Sequence, residues 1–342
     1  MQSGISVIVP NRNGAKTIGL CLDALFRSVH DAFEVIVVDD CSNDDSASII
    51  EKFPCRLIRL EHHGGTSAAR NIGAGESRRD LLFFIDADCL VQRDTLLRAE
   101  MMAAASGPGT VIGGTYTCIP YDQGFYSLFQ SLFIHFFEAK KGSDCDYIAG
   151  HAMVIASETF RRSGGFPENF LPLIEDVEFS HRLRKMGYTL IMDQELQVRH
   201  IFHYRSLRDS LKNGYRKSKY WTLYSLGNKD LFADSGTASH ELKCTVLTLF
   251  FVLMLALAAL SSPVAIPAFL FWAPVMLNIL LNRRLFALFA RGAGWLFAVR
   301  AALYYMLIYP FAVAAGALAG TVKFVLGRHE ILPKLRQEDT GI

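Results

Sequence analysis

Acidic side chains that could bind a cation or move a proton lie in two short segments. Asp86 and Asp88 form an Asp-x-Asp motif directly after the apolar run 81–85. Two carboxylates beside an apolar strand are costly to bury unless a cation neutralises them, and their hard oxygens suit Mg²⁺ or Mn²⁺. Glu175 and Asp176 open a predicted helix with acids in its first turn and bases in its last. That placement complements the helix dipole, and either carboxylate, turned into a cleft, would also serve as a general base.

Polar turns follow three further predicted strands. Pro10 and Arg12 come after the first strand, Asp40 after the second, and Arg70 and Asn71 after the third. A carboxylate at such a position can accept hydrogen bonds from a nucleoside, and an arginine can bind phosphate through two nitrogens. Plain turns and helix capping explain the same residue types, so both interpretations stay open here.

These segments require a sheet to bring them together. Short β-branched strands that alternate with helices indicate βαβ units and a mostly parallel α/β sheet, which binds ligands at the carboxyl ends of its strands. The predicted strands are 5–9, 34–38, 56–60 and 81–85, with a last one at 197–199, and the predicted helices are 14–29, 44–53, 66–76 and 93–105.

Six motifs in this order resemble the inverting family-2 glycosyltransferases of the GT-A fold over about residues 4–200. The motifs are VIVPxxN within 5–13, VVDDxSxD at 37–44, AARNxG at 68–73, DxD within 85–88, GGF at 164–166 and EDxxxxxRLxxxG at 175–187. The resemblance implies an α/β nucleotide-sugar-binding domain. It also implies transfer of one sugar, with inversion, from a nucleotide diphosphate sugar to a hydroxyl of a lipid-linked or surface glycan. A UDP-sugar is the expected donor.

The resemblance assigns roles to particular residues of this chain. It implies that Asp176, beside Glu175, is the catalytic base, and that Asp88 binds the metal directly. His200 is expected to be a further metal ligand, with His203 as its competitor. The residues expected to contact the nucleotide sugar are Pro10, Arg12, Asp40, Arg70, Asn71, Asp86 (which also lies at the metal) and Arg216, where Lys217 is an alternative.

Other functions fit the same residues less well. A polyprenyl-phosphate glycosyltransferase would use an acceptor that is already an anion, so a base at Asp176 would matter less. A processive synthase would carry a QxxRW motif, and the nearest match, 217–221, lacks its Gln and Arg. An inactive scaffold would not need intact acidic motifs, and a nucleotidyltransferase would not need the helix that begins at Glu175.

The second half of the chain is expected to contact membrane lipid. Residues 244–281 contain no charged side chain, which is about enough for two spans broken at 261–263, and 301–322 is a third candidate. The segment between, 282–300, holds four arginines and no acid, which predicts a cytoplasmic loop and a cytoplasmic catalytic domain at the cell membrane. Within it, 285–299 is either a weak fourth span or an interfacial helix.

A basic amphipathic helix is predicted at 206–226, before the first span. It suits an anionic leaflet, although an ordinary solvated face would look the same. The expected organisation is therefore a GT-A domain at 1–205, an interfacial helix and linker at 206–242, a membrane region at 243–326 and a C-terminal tail at 327–342. The aromatic stretch 125–137 suits either a lipid contact or a core.

Composition excludes several classes of protein. The 342 residues are 51% hydrophobic, with a mean hydropathy of +0.23, which excludes a disordered chain. A net charge of +2 argues against a nucleic-acid-binding function. The seven cysteines are scattered and form no CxxC motif, which predicts free thiols in a reducing compartment.

Overall fold

The fold is described from a computed structural model of the chain. It describes residues 2–168, 170–204, 206–261 and 267–327. These residues form two compact units, of which the first comprises residues 1–123 and 137–203, and the second residues 124–136 and 204–342. The predicted C-terminal tail, 327–342, lies outside the described residues except for Gly327.

The first unit is built on one eight-stranded sheet. In chain order its strands are β1 (Gln2–Asn11), β2 (Phe33–Asp39), β3 (Arg56–Arg59), β4 (Arg79–Phe84), β5 (Cys89–Val91), β6 (Thr110–Tyr116), β7 (Met153–Ala156) and β8 (Thr189–His200). Their order across the sheet is β3-β2-β1-β4-β7-β6-β8-β5. Four of the seven strand pairs are parallel, while β7 pairs antiparallel with β4 and β6, and β5 pairs antiparallel with β8. The predicted mostly parallel α/β sheet is therefore confirmed.

Seven helices accompany this sheet along the chain. They are α1 (Ile18–Phe26), α2 (Ser46–Ile50), α3 (Gly65–Gly75), α4 (Thr95–Ser106), α5 (Phe125–Ala139), α6 (Ser157–Arg162) and α7 (Glu175–Lys185). Most of α5 belongs to the second unit, and the other six helices belong to the first. Helix α3 lies very close to β1, because a Cβ at Gly73 would come within 2.5 Å of the Ile8 side chain. This packing holds the second half of α3, which includes Arg70, against the strands that precede the acidic turns.

The core of the first unit is apolar and continuous beneath these turns. Ile8, Ile36 and Phe84, one from each of three neighbouring strands, are fully buried in one cluster with Phe166 and Phe179. Because β1, β2 and β4 run parallel, their carboxyl ends meet at one edge of the sheet. Pro10 is near the end of β1, and the turns after β2 and β4 carry Asp40 and Asp86, so these predicted site residues share that edge.

Six more helices lie in the part of the second unit that the structure describes. They are α8 (Leu207–Asn228), α9 (His240–Ser261), α10 (Phe269–Leu281), α11 (Arg283–Ala293), α12 (Trp295–Leu303) and α13 (Tyr309–Leu326), with a π-helical turn over Tyr304–Ile308. A capping box between Ser206 and Asp209 begins α8, which agrees with the helix predicted at 206–226. The aromatic side of α5 is core in this unit, since Phe129 and Phe133 are buried and Phe129 packs on Tyr304 at 4.9 Å between ring centroids.

Two stretches of the second unit are long and apolar enough to cross a membrane, namely His240–Ser261 and Trp295–Leu326. A third candidate would combine α10 and α11, which are bent by 59° at their junction. The predicted break after residue 261 lies where α9 ends, and 262–266 are outside the described residues. The segment 285–299 is divided between α11 and α12 at Gly294.

Candidate active site

One buried arginine joins the two acidic motifs. The side chain of Arg70 is only 4% exposed, and it forms ion pairs with Asp86 at 2.7 Å and with Glu175 at 3.1 Å. The Asp86 carboxylate belongs to the turn after β4, and Glu175 is the first residue of α7. The Asp-x-Asp turn and the acidic helix end, 87 positions apart from Asp88 to Glu175 in the sequence, are therefore held side by side.

Asp176 lies against the other side of the same arginine. The Gly150 amide donates a hydrogen bond to its Oδ2 atom at 3.1 Å, and a Cβ at Gly150 would come within 2.6 Å of Arg70 Cζ. Only glycine therefore lets the backbone approach the guanidinium this closely. Burial and the neighbouring Glu175 charge raise the pKa of Asp176 to about 7, although Arg70 opposes the shift. A carboxyl group that titrates near neutrality is suited to accept a proton.

A candidate cation site includes the second aspartate of the motif. One carboxylate oxygen of Asp88, the Cys89 sulfur and a ring nitrogen of His200 all lie within 4.8 Å of one another. The His200 Nε2 atom is 3.5 Å from Asp88 Oδ1. Oxygen, nitrogen and sulfur donors at this spacing fit a divalent cation. Among the described residues His203 is not part of this group, so the structure brings His200 and not its competitor to Asp88.

The two aspartates of the motif differ in their environment. Burial alone would raise the pKa of Asp86, but the Arg70 guanidinium lowers it overall, so Asp86 is ionised. Burial raises the pKa of Asp88, the His200 imidazole opposes this, and the Asp86 carboxylate adds to it. An unfavourable charge at Asp88 is what a bound cation would relieve.

Asp40 holds the loop before α3. Its Oδ1 atom accepts a hydrogen bond from the Gly64 amide at 2.7 Å, and its Oδ2 atom accepts from the Gly65 amide at 2.9 Å and pairs with His63 Nδ1 at 2.7 Å. The other ring nitrogen of His63 contacts the guanidinium of Arg12. A carboxylate has about four acceptor positions, so these contacts leave Asp40 about one, and its contact with a nucleoside stays a prediction. Pro10, half-buried, is the next-to-last residue of β1, beside this turn.

Asn71 and Arg70 have protein partners where a nucleotide contact is predicted. The Asn71 side chain accepts a hydrogen bond from the Phe166 amide and donates to the Phe166 carbonyl, both at 2.8 Å, which fixes the Gly-Gly-Phe turn. It also donates to Glu168 at 2.9 Å. Both terminal nitrogens of Arg70 are held by carboxylates. In this structure these two residues position the site, and their contact with phosphate stays a prediction.

A buried histidine below the acidic turns was not predicted from the sequence. His151 and Glu138 are both almost fully buried, with His151 Nε2 at 3.5 Å from Glu138 Oε2. The ring of His151 stacks on Tyr116 at 4.1 Å, and the edge of Tyr116 meets His200. Burial alone would lower the pKa of His151, but Glu138, Asp86 and Asp176 raise it overall. Its position directly after Gly150 is the only sequence signal that could have indicated it.

The remaining predicted site residue, Arg216, belongs to the second unit. It lies on α8, with an exposed side chain, and Lys217 follows it. Its predicted contact with the donor stays a prediction.

A mostly parallel sheet with acidic turns at the carboxyl ends of its strands, continued by an acidic helix end, defines a GT-A-like domain. Residues 6–163 match the family model described as Glycosyl transferase family 2. Over these residues the chain carries a family-2 glycosyltransferase domain, and the predicted resemblance to that family and the predicted fold are confirmed.

Known proteins are similar to this chain over different lengths. Glycosyltransferase GlyG of Streptococcus pneumoniae is 28% identical over 131 residues, covering 37% of this chain and 44% of GlyG. An uncharacterized glycosyltransferase of Haemophilus influenzae is 28% identical over 183 residues, covering 52% of this chain and 61% of that protein. The chain thus matches less than two thirds of the length of these two relatives.

A solved structure shares the fold. The mannosyltransferase PcManGT of Pyrobaculum calidifontis, determined with GDP-Man and Mn²⁺, superposes with a TM-score of 0.57 at 19% identity. The superposition covers 96% of this chain and 88% of PcManGT.

Proposed function

We propose that this protein is a membrane-associated, metal-dependent inverting glycosyltransferase. It transfers one sugar from a nucleotide diphosphate sugar, with a UDP-sugar as the expected donor, to a hydroxyl of a lipid-linked or surface glycan. The observation that carries the proposal is the ion-paired bridge Asp86–Arg70–Glu175. It keeps the Asp-x-Asp turn, where a donor diphosphate would bind, beside the helix end that bears a proton acceptor.

Asp176 is the proposed base. Its pKa of about 7 leaves a substantial fraction deprotonated at neutral pH, so it can take the proton of the acceptor hydroxyl. The hydroxyl oxygen then bonds to the anomeric carbon as the bond to the diphosphate oxygen breaks on the opposite face. One such displacement inverts the anomeric centre. No carboxylate nucleophile is required, in contrast to retaining glycosidases, which form a covalent intermediate.

Asp88 and His200 are the proposed ligands of Mg²⁺ or Mn²⁺, with Asp86 beside them. When bound, the cation would offset negative charge on the departing nucleoside diphosphate. Arg70 is the internal counter-charge that keeps Asp86 ionised and in place. The Mn²⁺ in the mannosyltransferase of similar fold supports a divalent cation in this role.

A lipid-linked acceptor is supported by a groove in the second unit. Leu207, Leu211 and Tyr215 of α8 and Phe311 of α13 line an open, almost wholly apolar cavity of about 690 Å³. Arg208 and Lys212 also line it, so a lipid chain in the groove would have cations beside its phosphate. Candidate spans in this unit would bring the groove to the lipids of the cell membrane, with the catalytic domain in the cytoplasm.

The test begins with a panel of nucleotide diphosphate sugars, assayed for thermal stabilisation and for metal-dependent hydrolysis by the purified full chain. With the donor found, Asp176→Asn should reduce transfer to a hydroxyl acceptor by at least about a hundredfold while donor affinity changes little. Asp31→Asn, at an exposed aspartate that precedes β2 and so lies at the opposite end of that strand from Asp40, is the matched control and should transfer normally.

Each rival function has its own outcome in this test. If Asp176→Asn still transfers sugar to a phosphate acceptor, the protein is a polyprenyl-phosphate glycosyltransferase. Long polymer made by the pure protein would indicate a processive synthase. If no nucleotide sugar binds or is consumed, the proposal is wrong.

A further inference from the structure

The cation site includes a sulfur atom that the proposed function does not use. Cys89 is the residue next to Asp88, its side chain is fully buried, and its Sγ atom lies 3.9 Å from Asp88 Oδ1. Strand pairing explains why the thiol faces His200. Cys89 of β5 is directly opposite His200 of β8 in an antiparallel pair, and directly opposed residues place their side chains on the same face of a sheet.

The three donors differ in how deeply they lie. The Asp88 side chain is 42% exposed, that of His200 is 14% exposed, and Cys89 is fully buried. The carboxylate is therefore at the rim of the site, where a cation and a diphosphate can enter, and the thiol is at its floor. Two of these donors are softer than the oxygens that Mg²⁺ prefers, because imidazole and thiolate favour later transition metals.

We propose that Cys89 is a third protein ligand of the active-site cation and makes the site select Mn²⁺, Co²⁺ or Zn²⁺ over Mg²⁺. Coordination replaces the S–H bond by a sulfur–metal bond, and the proton is released to the buffer. This inference rests on the metal site of the proposed function and adds a ligand and a metal preference to it.

Cys21 provides a matched control for this thiol. It is also fully buried, and its Sγ atom contacts the Asp86 carbonyl oxygen at 3.8 Å, so it lies behind the same turn. It is not part of the group formed by Asp88, Cys89 and His200. A serine at position 21 therefore tests the effect of losing a buried thiol near the turn without losing a ligand.

The experiment uses Co²⁺ as an optical probe on the purified full chain in detergent, first alone and then with UDP. Wild type and Cys21→Ser should develop a thiolate-to-cobalt charge-transfer band in the near ultraviolet. Cys89→Ser should lack it, and its affinity for Mn²⁺ relative to Mg²⁺ should fall about tenfold. Circular dichroism and a parallel Cys89→Ala variant show whether each protein is folded.

Several results would overturn the proposal. They are no band in wild type under either condition, a band that persists in Cys89→Ser, a band lost in Cys21→Ser, or an unchanged Mn²⁺-to-Mg²⁺ ratio in folded Cys89→Ser. The proposed function is judged separately. Metal-dependent sugar transfer without a cobalt–thiolate band refutes only the Cys89 ligand, whereas a band without activity on any nucleotide sugar refutes only the transferase.

Discussion

Substitution of Arg70 by glutamine should destabilise the first unit more than substitution of any surface arginine. The change leaves the carboxylates of Asp86 and Glu175 without their buried partner. Breaking a buried ion pair from one side costs about 3–5 kcal/mol. The side chains of Asp86 and Glu175 are 33% and 17% exposed, so solvent screens part of this cost. We therefore expect the free energy of unfolding to fall by about 3 kcal/mol. For a domain of this size that lowers the melting temperature by roughly 6–12 °C.

The assay is thermal unfolding of the purified chain, with Arg56→Gln as the control. Arg56 pairs with Glu76 at the surface, where both side chains are more than two fifths exposed, and such pairs contribute about 0–1 kcal/mol. Adding Asp86→Asn and Glu175→Gln to Arg70→Gln should recover much of the lost stability, because no unpaired buried charge remains. Equal melting of Arg70→Gln and Arg56→Gln would refute the bridge as a structural link.

The pH dependence of this effect has a definite sign. Because Arg70 lowers the pKa of Asp86 in the folded chain, their pairing contributes fully above the ordinary pKa of an aspartate and is lost as the pH falls through the lowered value. The difference in stability between wild type and Arg70→Gln should therefore narrow in acid.

Three further predictions concern the base, the buried histidine and the groove. The rate of transfer should rise with pH through about 7 as Asp176 loses its proton, which a pH–rate profile measures. His151→Gln and Glu138→Gln should both move that rise to higher pH. Protonated His151 lowers the pKa of Asp176, and the Glu138 carboxylate raises the pKa of His151 and so favours its protonated form. If neither variant shifts the profile, His151 contributes only to packing. Arg208→Glu and Lys212→Glu should weaken transfer to an acceptor in lipid vesicles at least about tenfold while hydrolysis of the donor stays unchanged, and equal loss of both activities would contradict a lipid-binding groove.

The sequence predicts the first half of the sheet well and its second half poorly. The runs 5–9, 34–38, 56–60 and 81–85 are rich in β-branched and apolar residues. The first two lie entirely within β1 and β2, and the other two extend one residue beyond the ends of β3 and β4. Strand β6 carries Gly113 and Gly114, which indicate a turn in the sequence. A Cβ at Gly114 would lie 2.3 Å from the Leu196 carbonyl oxygen, so this glycine allows two strands to approach closely. The four residues of β7 are too few to show the alternation of apolar and polar side chains that indicates a strand.

The candidate site also has a part that the sequence predicts and a part that it does not. Asp-x-Asp and Glu-Asp are visible in the sequence because charged side chains directly after an apolar strand or at a helix end contrast with the residues around them. The partners of Arg70, Asn71 and Asp40 are not visible, because each is fixed by contacts between turns far apart in the chain. A guanidinium that suits phosphate suits two carboxylates equally, and only the packing of α3 on β1 decides between them.

If the chain is membrane-bound, as proposed, packing in the second unit predicts how many times it crosses the bilayer. Three contacts show how α8 lies against α13 and the π-helical turn before it. Ser210 hydrogen-bonds Tyr304 of that turn, and Ser218 donates to the Val313 carbonyl. Further along both segments, Gly320 approaches the Lys219 carbonyl. A Cβ at Gly320 would lie 2.5 Å from that oxygen. The two helices therefore run side by side in the same direction. A helix lying flat on a leaflet and a helix crossing the bilayer could not be packed in this way.

The charges of α8 indicate whether this helix pair lies at the membrane surface or crosses the bilayer. Five basic side chains on this helix, each costly inside a bilayer, keep it at the surface; they are Arg208, Lys212, Arg216, Lys217 and Lys219. Helix α13 should then also lie at the surface. The three arginines of α11, Arg283, Arg284 and Arg291, should keep that helix at the surface too, which leaves α9 and the uncharged α10 as the spans. Two crossings would return the chain to the cytoplasm and place Lys323 on the side where basic residues are preferred.

A reporter fusion tests this directly. Alkaline phosphatase, which is active only outside the cytoplasm, should be inactive when fused after Ile342, and a fluorescent protein at the same point should fluoresce. Phosphatase fused after Ser261, at the end of α9, is the control and should be active, because one span precedes it. An active phosphatase at Ile342 would mean that α13 crosses the bilayer. Because α13 is packed along α8, the basic helix would then have to enter the bilayer or separate from its partner, and the surface placement of α8 would be wrong.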